Sequence, residues 1–141
     1  MLLLVGSFIT WTDNALIQTT KTSRDDERTK DVRAIATEFE QYYLANPLGT
    51  GASYPSVSQV NTNLSSLVPN TQILTPPLES SPGLITAGSA NAQNPNDNEY
   101  IYQPLTVGDG LCTVQPCTKF VLYYRTEVGA EVKTIESRRK Q

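Results

Sequence analysis

The 141-residue chain has no histidine, which excludes histidine general-base catalysis, Ser-His-Asp triads and histidine-ligated metals. Two cysteines are too few for a four-cysteine zinc site within one copy. Charge is sparse, 11 basic against 14 acidic side chains, and the net of −3 argues against a strong nucleic-acid footprint. There is no Gly-rich phosphate loop, no nucleophile beside a base, and no pair of acids in an apolar setting. No catalytic residue, metal ligand or cofactor is therefore assigned, and an enzyme is not expected. Proline and glycine are missing in one place: all nine prolines lie at or after Pro47, and Gly6 is the one glycine ahead of it. The first 46 residues thus hold no proline and one glycine, and the other 95 contain the rest.

The proline-free part starts apolar and turns charged. Met1 to Trp11 is mostly apolar, and Ala15, Leu16 and Ile17 extend that character past Asp13 and Asn14. This falls short of the roughly 17–20 apolar residues that span a bilayer. A signal peptide places a basic residue ahead of its apolar stretch; here the first is Lys21, so the segment reads as retained rather than cleaved for export. Residues 21–40 are dense in charge, whereas 41–98 carry only Glu79 and Asp97.

Val32, Ile35, Phe39 and Tyr42 or Tyr43 recur at helical spacing, with Arg28, Lys30, Asp31, Glu38 and Glu40 on the opposite face. A helix is predicted over 23–46, ended by Pro47 and able to run on from the apolar start. A rod of 46 residues would reach roughly 70 Å. The 95 residues that follow cannot cover it, so lipid or other copies of the same stem must bury its first half. Val57, Val60, Leu64 and Leu67, framed by Pro55 and Pro69, predict a second helix over 56–68. Residues 70–98 read as a long irregular connection. Strands are predicted at 100–102, ending before Pro104, at 119–125 and at 130–135, the last two joined as a hairpin through Glu127–Ala130. The expected fold class is α+β: a long N-terminal helix packed on a small antiparallel sheet. Its helix–sheet core is Val32, Ile35, Phe39, Tyr42, Phe120, Leu122 and Tyr124.

The run Arg24-Asp25-Asp26-Glu27-Arg28-Thr29-Lys30-Asp31-Val32-Arg33-Ala34-Ile35, then Phe39-Glu40-Gln41-Tyr42-Tyr43, then Tyr54-Pro55, resembles the stem of type IV pilins and type II secretion pseudopilins. The specific likeness covers roughly residues 22–55, and the late cysteine pair falls in the same order. The resemblance implies a structural subunit. Its helix waits in the inner membrane, and pilus assembly machinery then stacks copies by their helices into a surface filament. Residues 1–22 would be the apolar helix segment, in filament core or membrane, and 23–141 the globular head. The filament-core residues would be Leu2, Leu3, Leu4, Val5, Phe8, Ile9, Trp11, Leu16 and Ile17. Departures from the family pattern concern assembly: Val5 stands where mature pilins carry a glutamate, and the proline usual within the apolar stretch is missing. Either the N-terminus is recorded incompletely, or the subunit assembles without that glutamate. The rivals are a minor pseudopilin of a secretion fibre and a membrane-tethered binding module.

Cys112 and Cys117 form a C-x4-C pair whose small loop would close as a disulfide if the Cα atoms approach within about 7 Å. Free thiols and a redox pair are the alternatives, although redox pairs more commonly read C-x-x-C. Asp97, Glu99 and Asp109 are three scattered acids, thin support for a calcium ion that needs six to eight oxygens. The charged block at 24–33 reads first as a solvated helix face, and secondarily as a source of contacts between subunits. The Arg138-Arg139-Lys140 tail reads as a solvated end.

Overall fold

The structure, a computed structural model, describes residues 5–45, 51–88 and 94–139, with side chains described from Asn14 onward. Leu2, Leu3 and Leu4 lie outside these, as do the side chains of Val5, Phe8, Ile9 and Trp11 and the predicted helix end at Asn46-Pro47.

Helix α1 runs unbroken over Val5–Ala45, about 60 Å of rod, because no proline interrupts it. Helix α2 spans Val57–Leu67. Its start is set by a reciprocal cap, in which Gln59 N donates to Ser56 Oγ and Ser56 N donates to Gln59 Oε1. A single 3-10 turn follows at Thr71–Leu74. Four strands, β1 (Leu84–Thr86), β2 (Tyr100–Leu105), β3 (Lys119–Arg125) and β4 (Val132–Glu136), form one sheet in that order.

The sheet is mixed rather than antiparallel throughout. β1 pairs parallel with β2, Leu84 opposite Tyr100, while β2–β3 and β3–β4 are antiparallel. β1 lies inside the stretch expected to be irregular. It is three residues long, too short for alternation to register, and it is positioned by what surrounds it. Gly83 donates its N–H to Leu74 O and accepts from Tyr100 N. A Cβ at Gly83 would come within 2.5 Å of Asn98 O, so only glycine fits there.

Two strand limits differ from expectation for backbone reasons. β2 continues through Pro104 to Leu105. Pro104 O accepts from Cys112 N, on the side away from β3, so its nitrogen also faces that side, where β1 has ended. The missing donor therefore removes no ladder bond. β4 starts at Val132, not at 130, because Gly129 and Ala130 take φ of 80° and 50° while Thr126 N bonds Glu131 O to close the loop.

One face of the sheet packs on α1. Val32, Ile35, Phe39 and Tyr43 from the helix meet Tyr100, Tyr102, Phe120, Leu122 and Tyr124, all buried. Phe39 lies tilted against Tyr102 at 4.4 Å and stands edge-on to Phe120 at 5.9 Å. Tyr42, expected in this core, is only half-buried; Tyr43 is the buried one, 4.6 Å from Tyr54. Tyr42 instead turns its hydroxyl to the side-chain amides of Gln59 and Gln115, which donate to it at 2.8 and 3.3 Å.

Cys112 and Cys117 are joined in a disulfide with Cα atoms 5.6 Å apart, both buried. Its loop is docked on the segment entering α2: Tyr54 N donates to Cys117 O, Val57 N to Cys112 O, and Cys117 N to Ser53 Oγ. The disulfide thus ties the approach to β3 to the Tyr54-Pro55 exit of the stem.

Candidate functional site

Among the described residues, the feature with no structural explanation within the fold is the stretch of α1 ahead of the head. Every residue from Asn14 to Thr20 is exposed, including Leu16 at 66% and Ile17 at 52%. Coverage by the head begins around Arg24 and Asp25. The helical backbone continues N-terminally to Val5, so about 28 Å of helix lies ahead of the point where coverage by the head begins. Its threonine hydroxyls bond back to the helix itself. Thr19, Thr20 and Thr22 donate their hydroxyls to the carbonyls of Ala15, Leu16 and Gln18, four residues back. A surface built this way carries no side-chain charge from Asn14 to Thr20 and leaves few hydroxyl protons needing water. Among the described residues, no helix is long and apolar enough to cross a membrane.

The head grips the helix where this extension leaves it. Arg24 donates to Glu127 through Nε at 2.7 Å and Nη2 at 2.5 Å, and Arg28 reaches the same carboxylate at 2.7 Å. Arg28 also pairs with Asp25 at 3.0 Å and donates to Asp97 O at 3.2 Å. Asp25 in turn accepts from the backbone N–H groups of Glu127 and Val128, at 2.8 and 2.9 Å. Two cations and two anions close a neutral network between α1 and the β3–β4 loop, which is what lets Arg28 be 1% exposed. The two guanidiniums hold the Glu127 carboxyl down at about 2, and the same bond pushes Arg24 upward. This corrects the reading of 24–33 as a wholly solvated face: Asp25 and Arg28 are buried.

The other end of the covered helix is held by the chain's C-terminal segment. Glu40 accepts from Arg138 N at 2.7 Å and from the Tyr54 hydroxyl at 3.0 Å, and Arg139 lies over the Tyr43 ring at 5.0 Å. Arg138 and Arg139 thus touch α1 while staying exposed, as expected of a solvated end, and Lys140 lies outside the described residues. Burial and the nearby Glu40 carboxylate raise the Tyr54 hydroxyl well above its usual range, so it stays protonated as the donor.

Between the two ends, Asp31 accepts from the Tyr100 hydroxyl at 3.3 Å. Partial burial dominates over that hydrogen bond, and with Glu27 nearby the carboxyl is raised to about 6. The three acids weighed for calcium stand in separate roles. Asp97 lends its carbonyl to Arg28, Glu99 accepts from Asn96 N, and Asp109 pairs with Lys119. Among the described residues no group of three or more acids, cysteines or histidines gathers around a point that could hold a metal ion.

Of the residues assigned to a filament core, Leu16 and Ile17 are described, and both are exposed on the free extension. Of those assigned to the helix–sheet core, all but Tyr42 are buried. Sequence reasoning missed the Arg24–Asp25–Arg28–Glu127 network. Its only trace was a dense charge run, which nothing local connects to an acid about a hundred residues later. No family model, no curated protein and no solved structure matches this chain.

Proposed function

We propose that this protein is a structural subunit of a type IV pilus-like cell-surface filament, in which copies associate through their N-terminal helices. One observation carries the reading: α1 outruns its own head and presents exposed Leu16 and Ile17 on an uncharged stretch that ends at a built-in anchor. Apolar area of this kind gains roughly 25 cal/mol per Å² when it leaves water, and none of the described residues of the head covers it. The anchor supports the same reading. A subunit pulled by its helix within a fibre needs the head fixed rigidly to that helix, and a network buried at the junction does this better than loop contacts would. The order of elements, with a helix followed by a sheet and a disulfide near the main strand, agrees with the likeness of residues 22–55 to pilin stems.

On this reading the partners are further copies of the chain, the inner membrane before assembly, and the pilus assembly machinery. The pilin-like fold name belongs to the same proposal. Electron microscopy of the purified native material tests it. Long homogeneous fibres are the expected result, and short or mixed ones would reassign the chain as a minor pseudopilin. Monomers in detergent with no fibres would overturn the filament in favour of a tethered binding module.

A further inference from the structure

The charges of α1 between Asp26 and Glu38 that form no ion pair with the head fall into two lines, Asp31 among them although its carboxylate also accepts from Tyr100. Successive helical residues turn by about 100°, so Glu27, Asp31 and Glu38 fall within roughly 40° of one another. Lys30 and Arg33, with Asp26 between them in angle, form a second line roughly 100° around the helix from the first. Glu27, Lys30 and Arg33 are exposed, and Asp31 and Glu38 are half-buried. Among the described residues, none of Glu27, Lys30, Arg33 and Glu38 has an ion-pair partner in the chain. Arg24 and Arg28, on the same helix, are fully engaged with Glu127. The helix therefore keeps one set of charges for its own head and leaves an acidic flank and a predominantly basic flank open.

We infer that, given the filament reading above, the acidic flank of α1 in one copy faces the basic flank of α1 in the next. Two distinct surfaces of opposite sign suit a heterologous contact, which repeats into an open fibre, whereas a two-fold pair would set each surface against itself. Exposed ion pairs add little strength each. Their role here is to select which flank meets which and to disfavour copies docked with like charges together, while the apolar extension supplies the burial.

The test uses the full chain in two charge-reversed forms. Lys30→Glu with Arg33→Glu makes both flanks acidic; Glu27→Lys with Glu38→Lys turns the acidic flank largely basic. Each alone is expected to lose at least about tenfold in sedimentable fibre at low salt, and an equimolar mixture to recover to within about twofold of the unmodified chain. Melting temperatures close to the unmodified chain's check that each form folds. The neutral pair Lys30→Gln with Arg33→Gln provides a second measure: it should flatten the salt dependence of fibre yield that the unmodified chain shows. Fibres from either reversed form alone, or folded forms that fail to co-assemble, would overturn the flank pairing and leave the filament reading standing. An unmodified chain that forms no fibres would overturn the filament reading itself, and the pairing with it.

Discussion

Arg24 holds both carboxylate oxygens of Glu127, at 2.7 and 2.5 Å, across 103 positions of sequence. The contact joins the last covered turn of a projecting helix to the tip of the hairpin that ends the sheet. It decides how the head sits on its stem.

Glu127→Gln should lower the stability of the folded chain by about 3 kcal/mol, since it leaves two guanidiniums facing one carboxylate in a largely buried place. Urea denaturation checks this. A loss below about 0.5 kcal/mol would show that the network is no more than a surface ion pair.

Two carboxylates should give stability opposite pH slopes. Glu127 is depressed to about 2, so its contribution is present above its ordinary range near 4.5 and is lost as pH falls from there toward 2. Asp31 is raised to about 6, so the folded state holds its proton more tightly than the unfolded one, and stability falls as pH rises from about 4 to 6. The chain should therefore be most stable near pH 4–5 as far as these two groups decide it. Asp31→Asn should raise the melting temperature at pH 7 and flatten the slope between pH 4 and 6. An unchanged slope in that variant would assign it to another group.

Removing the disulfide with Cys112→Ala and Cys117→Ala should cost about 2 kcal/mol, the loop-closure value for so short a ring. The loss should be accompanied by faster amide exchange at Tyr54 and Val57, whose N–H groups bond the disulfide loop. Exchange that stays slow at both amides would show that the loop keeps its place without the bond.

Leu16→Asp with Ile17→Asp should leave the melting temperature of the head unchanged, because neither residue touches it, and should abolish fibre formation. Circular dichroism and electron microscopy read the two outcomes separately. Normal fibres from this variant would remove the apolar extension from the assembly mechanism.

The parts of the fold that were readable without coordinates are those that depend on neighbours in sequence. Val32, Ile35 and Phe39 announce one face of α1 by their spacing, and Phe120, Leu122 and Tyr124 announce one face of β3 by alternation. The Cys112–Cys117 ring is short enough for its spacing alone to suggest closure. Tyr42 and Tyr43 could not be separated this way, since adjacent residues differ by about 100° and either can finish the stripe. β1 was not readable because three residues carry no period, and its place comes from Gly83, Asn98 and Tyr100 meeting in space.

Sequence by itself determined that a long proline-free helix with Gly6 as its one glycine leads a loop-rich, strand-ended head, and that this helix is too long for the head to cover. Backbone breakers and hydrophobic period are local properties, and local properties survive in a linear reading. Only the tertiary structure decided which charges of the helix are buried and which stay open. Asp25 and Arg28 go inside because Glu127 arrives on a loop about a hundred residues later, while Lys30 and Arg33, a turn further on, find no ion-pair partner among the described residues and remain on the surface. Charge pairing acts through space, and a run of alternating signs carries no mark of which member will find its partner.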